Sequence, residues 1–228
     1  MKTTLVNAGP SHTSIAVWAS FAQAPDNRPL AWLSALLSPN SYTVFEWQAA
    51  YDFVWAETGK LVSGKTVSAA QHLPATSVAG MAMLEKHGNG FMLAPFAAST
   101  PPPAGTLLIQ TSSEVPVDQL TIGVNIRIAS GIGQPGNGTA VVQAQPNIAY
   151  RWTTEETYFA SAGQFSQSEY DPPDFTIRPP LALDFSSGPE VVVLLDSANL
   201  LHQLGNSDLQ GLMRLNDFVE VPAVSEAC

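Results

Sequence analysis

The chain has 228 residues, only 12% of them charged, and 19 acidic residues against 9 Lys or Arg leave a net charge of −10. That balance excludes a phosphate backbone or an anionic membrane surface as a favoured partner. Scarce Lys and Arg argue against many amphipathic surface helices, whereas 16 Gly and 18 Pro suit short strands joined by turns.

The first residues, Met1 to Asn7, lack the apolar run of a signal peptide, and no stretch of 18 apolar residues occurs. The expectation is a cytoplasmic protein without a transmembrane segment. Residues 3 to 23 read as one or two strands, because Ile15, Val17 and Ala19 alternate with Ala16, Trp18 and Ser20. Leu30 to Leu37 is a short apolar run that fits either a buried strand or a two-turn helix.

The clearest periodicity follows. Phe45, Trp47, Ala49, Tyr51, Phe53 and Trp55 alternate with Glu46, Gln48, Ala50, Asp52, Val54 and Ala56. Period two puts five large rings on one side of an extended strand, and a helix would scatter them. With Thr58-Gly59-Lys60 as a turn and Lys65 to Gln71 returning, the stretch reads as a β-hairpin whose aromatic face nucleates the core.

Gly59 to Thr66 also matches the phosphate-loop pattern GxxxxGK[ST], and Val191 to Asp196 resembles a strand ending in a magnesium-binding acid. Such a nucleotide hydrolase would use Lys65 on the terminal phosphates and Thr66 and Asp196 on the ion. The chemistry requires a helix starting at the loop. Here Thr66 and Val67 are β-branched and Pro74 stops any helix within about two turns. A hairpin turn with chance glycines is the better reading.

Ser77 to Leu84 has the Ala and Met content of a helical turn, but Gly88-Asn89-Gly90 signals a hairpin between Met83–His87 and Phe91–Ala94. Residues 98 to 105 read as an exposed proline-rich connection, and 131 to 138 as a flexible glycine-rich turn. Between them, Thr106 to Gln110 is apolar, and Ile122, Val124, Ile126 and Ile128 alternate with Gly123, Asn125 and Arg127. Thr139 to Gln145, Tyr150 to Thr153, Thr157 to Ala160 and Glu190 to Leu195 complete the strands. Asp171 to Asp174 and Arg178 to Pro180 mark loops, and Leu200 to Leu215 is the best candidate for a helix.

Strands at this spacing define a mainly β fold, an antiparallel sandwich or barrel with at most one or two short helices, in a single domain over 1–228. Cys228 is the lone cysteine, so no intrachain disulfide forms. His12, His72, His87 and His202 are dispersed, which predicts no metal site. Asn137-Gly138-Thr139 matches a glycosylation sequon, read as a turn. Glu155, Glu156, Asp171 and Asp174 are candidate glycosidase acids whose separation sequence does not give. Trp152, Tyr158 and Tyr170 lie near polar loops and form the candidate stacking surface for a sugar or other flat ligand, against core packing as the alternative.

Leu30-Ala31-Trp32, Tyr51 to Gly59, Gly138 to Asn147 and Tyr158 to Gly163 resemble the rhizosphere-expressed RhiA family of bacteria, over roughly residues 30 to 165. The resemblance implies a β-rich fold, a bacterial, plant-associated and density-regulated setting, and no catalytic residue to transfer. Similar sequences do not preserve Gly64-Lys65-Thr66 as a phosphate loop. The expected function is non-enzymatic binding of a small molecule, glycan or protein, without a cofactor, with a P-loop-like nucleotide hydrolase as the alternative.

Overall fold

A computed structural model describes residues 1–25, 28, 30–75, 80–97, 102–128, 139–164, 166, 168–171, 179–205, 208–211 and 217–222. In chain order the strands are β1 (Lys2–Asn7), β2 (Thr13–Phe21), β3 (Leu33–Leu37), β4 (Ser41–Ala56), β5 (Lys65–Thr66), β6 (Gln71–Ala75), β7 (Met81–His87), β8 (Gly90–Pro95) and β9 (Thr106–Thr111). They continue with β10 (Thr121–Ile128), β11 (Ala140–Gln143), β12 (Ala149–Thr153), β13 (Glu156–Gly163), β14 (Glu169–Tyr170), β15 (Leu181–Leu183), β16 (Glu190–Leu195), β17 (Leu201–Leu204) and β18 (Val219–Glu220). Among the described residues the one helix is a single turn at 208–211.

Strand β4 is 16 residues long, and its aromatic alternation makes it so. Its first half pairs antiparallel with β1 and its second half with β10, on opposite edges. Strand β6 pairs with Tyr51–Trp55 and β18 with Ser41–Tyr42, so both halves are hydrogen-bonded on both sides. The large sheet runs β11-β10-β4-β1-β16-β17, and in it β1 pairs parallel with β16 and β18 parallel with β4. Two four-stranded sheets, β12-β9-β7-β8 and β15-β13-β2-β3, and the short β14-β5 pair complete the fold. All are open, and none closes into a barrel among the described residues.

One apolar core joins the three larger sheets. Phe45, Trp47, Phe53 and Trp55 of β4 contribute to it with Ile122, Val124 and Ile126 of β10 and Val191, Val193 and Leu195 of β16. Opposite them stand Ile15, Val17, Phe21 and Tyr158 of one small sheet and Leu84, Leu107, Ile109 and Trp152 of the other. Trp32 meets Trp47 edge to face at 5.5 Å, a favoured geometry for aromatic pairs. Tyr51 is the half-buried member of the row, because its hydroxyl reaches the core's rim and donates to Glu156 Oε2 at 3.0 Å.

The alternate face of β4 is divided. Glu46 and Gln48 are exposed, while Val54 and Ala56 are buried. Ala56 and Val141 lie beneath a second cluster made by Leu30, Leu61, Val67 and Tyr170. The segment 57–70 therefore crosses the outer face as a strap, and this explains one departure from the sequence reading. The strand returning onto β4 is Gln71–Ala75, not Lys65–Gln71, because Lys65 and Thr66 pair instead with Tyr170 and Glu169.

Two further expectations change. Met81 to Leu84 is strand rather than helical turn, since it pairs with β8 on one side and β9 on the other. The helix expected within 200–215 is the single turn at 208–211, whereas Leu201–Leu204 is strand: Asp196 Oδ1 accepts the Ala198 and Leu200 N–H groups, and that turn folds β17 back onto β16. The Gly88-Asn89 hairpin turn stands, with Gly88 at φ +61°. The expected loops at 98–101, 131–138 and 172–178 and sequon residues 137 and 138 lie outside the described residues.

Trp55 is 7% exposed and its Nε1–H donates to Gln71 Oε1 at 3.0 Å. Trp55→Ala is predicted to lower the unfolding free energy by about 3 to 5 kcal/mol through lost burial and a cavity. Urea titration of both proteins checks it, and a loss under about 1 kcal/mol would contradict a core role for this face.

Candidate functional site

The three rings expected to stack on a ligand are packed inside the protein: Trp152 is 1%, Tyr158 3% and Tyr170 0% exposed. Trp152 stacks on Tyr150, and Tyr158 packs against Trp32, Trp47 and Phe185. Tyr170 belongs to the outer cluster, with the Arg28 guanidinium 4.8 Å from its ring centre. They are not gathered into one surface, and none turns an open face to solvent.

The Tyr158 hydroxyl donates to Glu156 Oε1 at 2.8 Å, and Tyr51 reaches the same carboxylate. Burial, then the adjacent Glu156 charge, pushes both phenols above their ordinary range, so they stay protonated donors. Glu156 is thus engaged as a clasp between β4 and β13. Asp171 pairs with Arg28 at 3.9 Å, and Asp174 lies outside the described residues.

The phosphate-loop geometry is not formed. Thr66 begins no helix; it lies in β5. Several N–H groups of the loop are spent on the protein: Gly59 on Gln119 O, Leu61 on Gln143 Oε1, Gly64 on Tyr170 O and Lys65 on Val62 O. Asp196 caps its own turn and bonds His202 Nε2 at 2.8 Å, so its carboxyl lies below the usual range, chiefly through the Leu200 N–H. Among the described residues, no three His, Cys, Asp or Glu side chains gather as metal ligands.

Register assembles a different group, on the outer face beside the strap. Asp52 of β4 stands directly across from Asn125 of β10 and from Pro74 of β6, with His72 on the diagonal. Arg127, two residues beyond Asn125, donates from Nε at 2.8 Å and Nη2 at 2.6 Å to Asp52 Oδ1. Those bonds, ahead of all other causes, push the guanidinium further into its charged state. The other carboxylate oxygen, Oδ2, faces His72 Nδ1 at 3.9 Å, beyond hydrogen-bond reach.

Two buried atoms of this group have no partner: His72 Nδ1 and Asn125 Oδ1. Asn125 is 2% exposed, whereas the Arg127 side chain is 42% exposed, so the group runs from the interior to the surface. A buried polar atom left unsatisfied costs about 1 to 3 kcal/mol. Other orphaned atoms, such as Thr3 Oγ1 and Thr43 Oγ1, sit on separate side chains of the inner sheet face. Burial lowers the His72 pKa, and the Asp52 charge opposes this only in part because Arg127 already balances it.

The alternation of Asn125 and Arg127 with Val124 and Ile126 of β10 marks a polar face in the sequence, and Asp52 sits on the polar side of β4. The missing information is which strands are neighbours. Gly123 shows how closely they approach: a Cβ there would collide with the Ala140 carbonyl oxygen of β11.

A family model described as RhiA matches residues 1–197. Protein RhiA of Rhizobium leguminosarum bv. viciae is 32% identical over 123 residues, an alignment covering 52% of this chain and 47% of that protein. The chain spans about half the length of that curated relative. No solved structure matches.

His72 generates a pH prediction. Its folded-state pKa lies below the ordinary 6.5, so an unfolded chain takes up a proton that the folded one refuses. Stability is complete above pH 6.5 and declines on acidification towards the folded value. His72→Gln should therefore lose less stability than the parent between about pH 7.5 and about pH 5 in matched urea titrations. Parallel pH profiles would contradict the assignment.

Proposed function

The chain belongs to the rhizosphere-associated RhiA family, and on that premise we propose that it is a non-catalytic binding protein of a plant-associated bacterium. Its ligand docks on the outer face of the large sheet, at Asp52, His72, Asn125 and Arg127. The observation that carries this reading is the Asp52–Arg127 ion pair, set among buried polar side chains and open to solvent at Arg127, whose side chain is 42% exposed. A ligand seated on the exposed edge of that ion pair gains charge-assisted hydrogen bonds from the guanidinium. Trp152 and Tyr158 support the sheets from the core side, and Tyr170 supports the strap, rather than stacking on the ligand.

The catalytic alternative has less support, because the Lys65–Thr66 segment has its backbone donors committed elsewhere. Amide spectra of the ¹⁵N-labelled protein, titrated with desalted plant-root exudate, test the reading. Saturable shifts clustered on β4, β6 and β10 near these four residues are expected, and millimolar MgATP should leave the melting temperature unchanged. No saturable shift with any exudate fraction would overturn the binding reading. MgATP stabilisation that disappears in Lys65→Ala would establish the nucleotide reading in its place.

A further inference from the structure

Independently of the Asp52 group, we infer that a cleft on the outer face of the sheet β15-β13-β2-β3 binds a small organic cation, a primary ammonium on a short aliphatic chain, with Glu169 as its counter-charge. The cleft has a volume of about 490 Å³, with His12, Ser14, Leu36 and Gly163 on the sheet side and Ser166 and Glu169 opposite. Register builds its floor: Leu36 of β3 stands across from Ser14 of β2, and Ser14 across from Gly163 of β13. Strand spacing makes that row about 10 Å wide. Alternation turns Ile15, Leu33 and Leu37 into the core, so Ser14 and Leu36 face outward, and Leu36 is 64% exposed. One row further along the same face, Ala16 and Ser161 are buried, so the cleft is closed at that end and open at the exposed His12.

The backbone fixes Glu169 where it stands. The Ala31 N–H donates to its carbonyl at 2.9 Å, the Ser168 N–H returns to Ala31 O at 2.7 Å, and Thr66 of β5 is its strand partner. Its Oε2 accepts the Ser166 N–H at 2.8 Å, and Oε1 has no donor among the described residues. No Lys or Arg lines the cleft, so the carboxylate charge is uncompensated there. An anion would be repelled, in a chain whose net charge is −10. An apolar ligand would strip water from Oε1 and return no hydrogen bond. Calcium takes about six to eight oxygens, whereas no three acidic, His or Cys side chains gather among the described residues. An ammonium is a donor only, and the cleft offers it acceptors. These are Glu169 Oε1, Ser14 Oγ and, in the tautomer whose Nδ1–H donates to Ser38 Oγ at 3.3 Å, His12 Nε2. Leu36 supplies an apolar wall for the attached chain.

The test is an amide-shift titration of the intact protein with butylammonium chloride, against butanol, sodium butyrate and calcium chloride. Butylammonium should give saturable shifts at Ser14, Leu36, Gly163 and Glu169, with roughly tenfold weaker binding after Glu169→Gln. That variant keeps an oxygen acceptor for the Ser166 N–H, so the turn keeps its anchor. Leu36→Ser, at an exposed position, should weaken binding roughly threefold and serves if Glu169→Gln does not fold; amide spectra establish folding in each case. Butanol or butyrate binding as tightly as butylammonium would overturn the inference, as would a preference for calcium. So would unchanged affinity in either folded variant, or no saturation up to about 100 mM. Butylammonium shifts confined to β4, β6 and β10 would overturn it too, and would leave the binding reading at Asp52 intact.

Discussion

Backbone pairing along β4 is the constraint from which the other features follow. A strand of 16 residues has donors and acceptors on two edges, and each must find a partner or face water. The chain meets this with strands drawn from both ends of its length: β1 and β18 on the first half, β6 and β10 on the second. Because β1 also carries β16 in parallel, the N-terminal residues and the 190s are held in one sheet through that single shared strand.

The same strand separates two environments. On its inner side the rings of Phe45, Trp47, Phe53 and Trp55 meet residues of both smaller sheets, so the sheets are joined through apolar contact and not only by connections. At the rim, Tyr51 and Tyr158 converge on Glu156, a polar clasp where the core gives way to solvent. On the outer side the strap covers Ala56 and Val141 but leaves the Asp52 group at its border.

Local pattern makes the strands legible, and long-range pairing hides the site. Alternation locates β2, β4 and β10, a β-branched run locates β16, and a glycine-turn signal locates the β7–β8 hairpin, because these signals are written in adjacent residues. The leucine spacing from Leu204 onward suggests helix, and one turn forms at 208–211, but the Asp196 turn and the free edge of β16 make Leu201–Leu204 strand. Lys65–Thr66 departs from its sequence reading for a related reason: its partner lies about 100 residues away, at Glu169–Tyr170. The rings of Trp152, Tyr158 and Tyr170 look accessible beside polar loops, but burial is a property of the assembled sheets. Asp52 and Asn125 each lie on the polar side of an alternating strand, and only register sets them side by side.

Amide hydrogen exchange along β4 is the most direct measurement of its role as a shared strand. If both halves depend on one another, the amides from Tyr42 through Trp55 open together, with a single free energy equal to that of global unfolding. Exchange of the β1-paired half at a clearly different opening free energy from the β10-paired half would contradict that account, and would make β4 two independent segments joined in the middle.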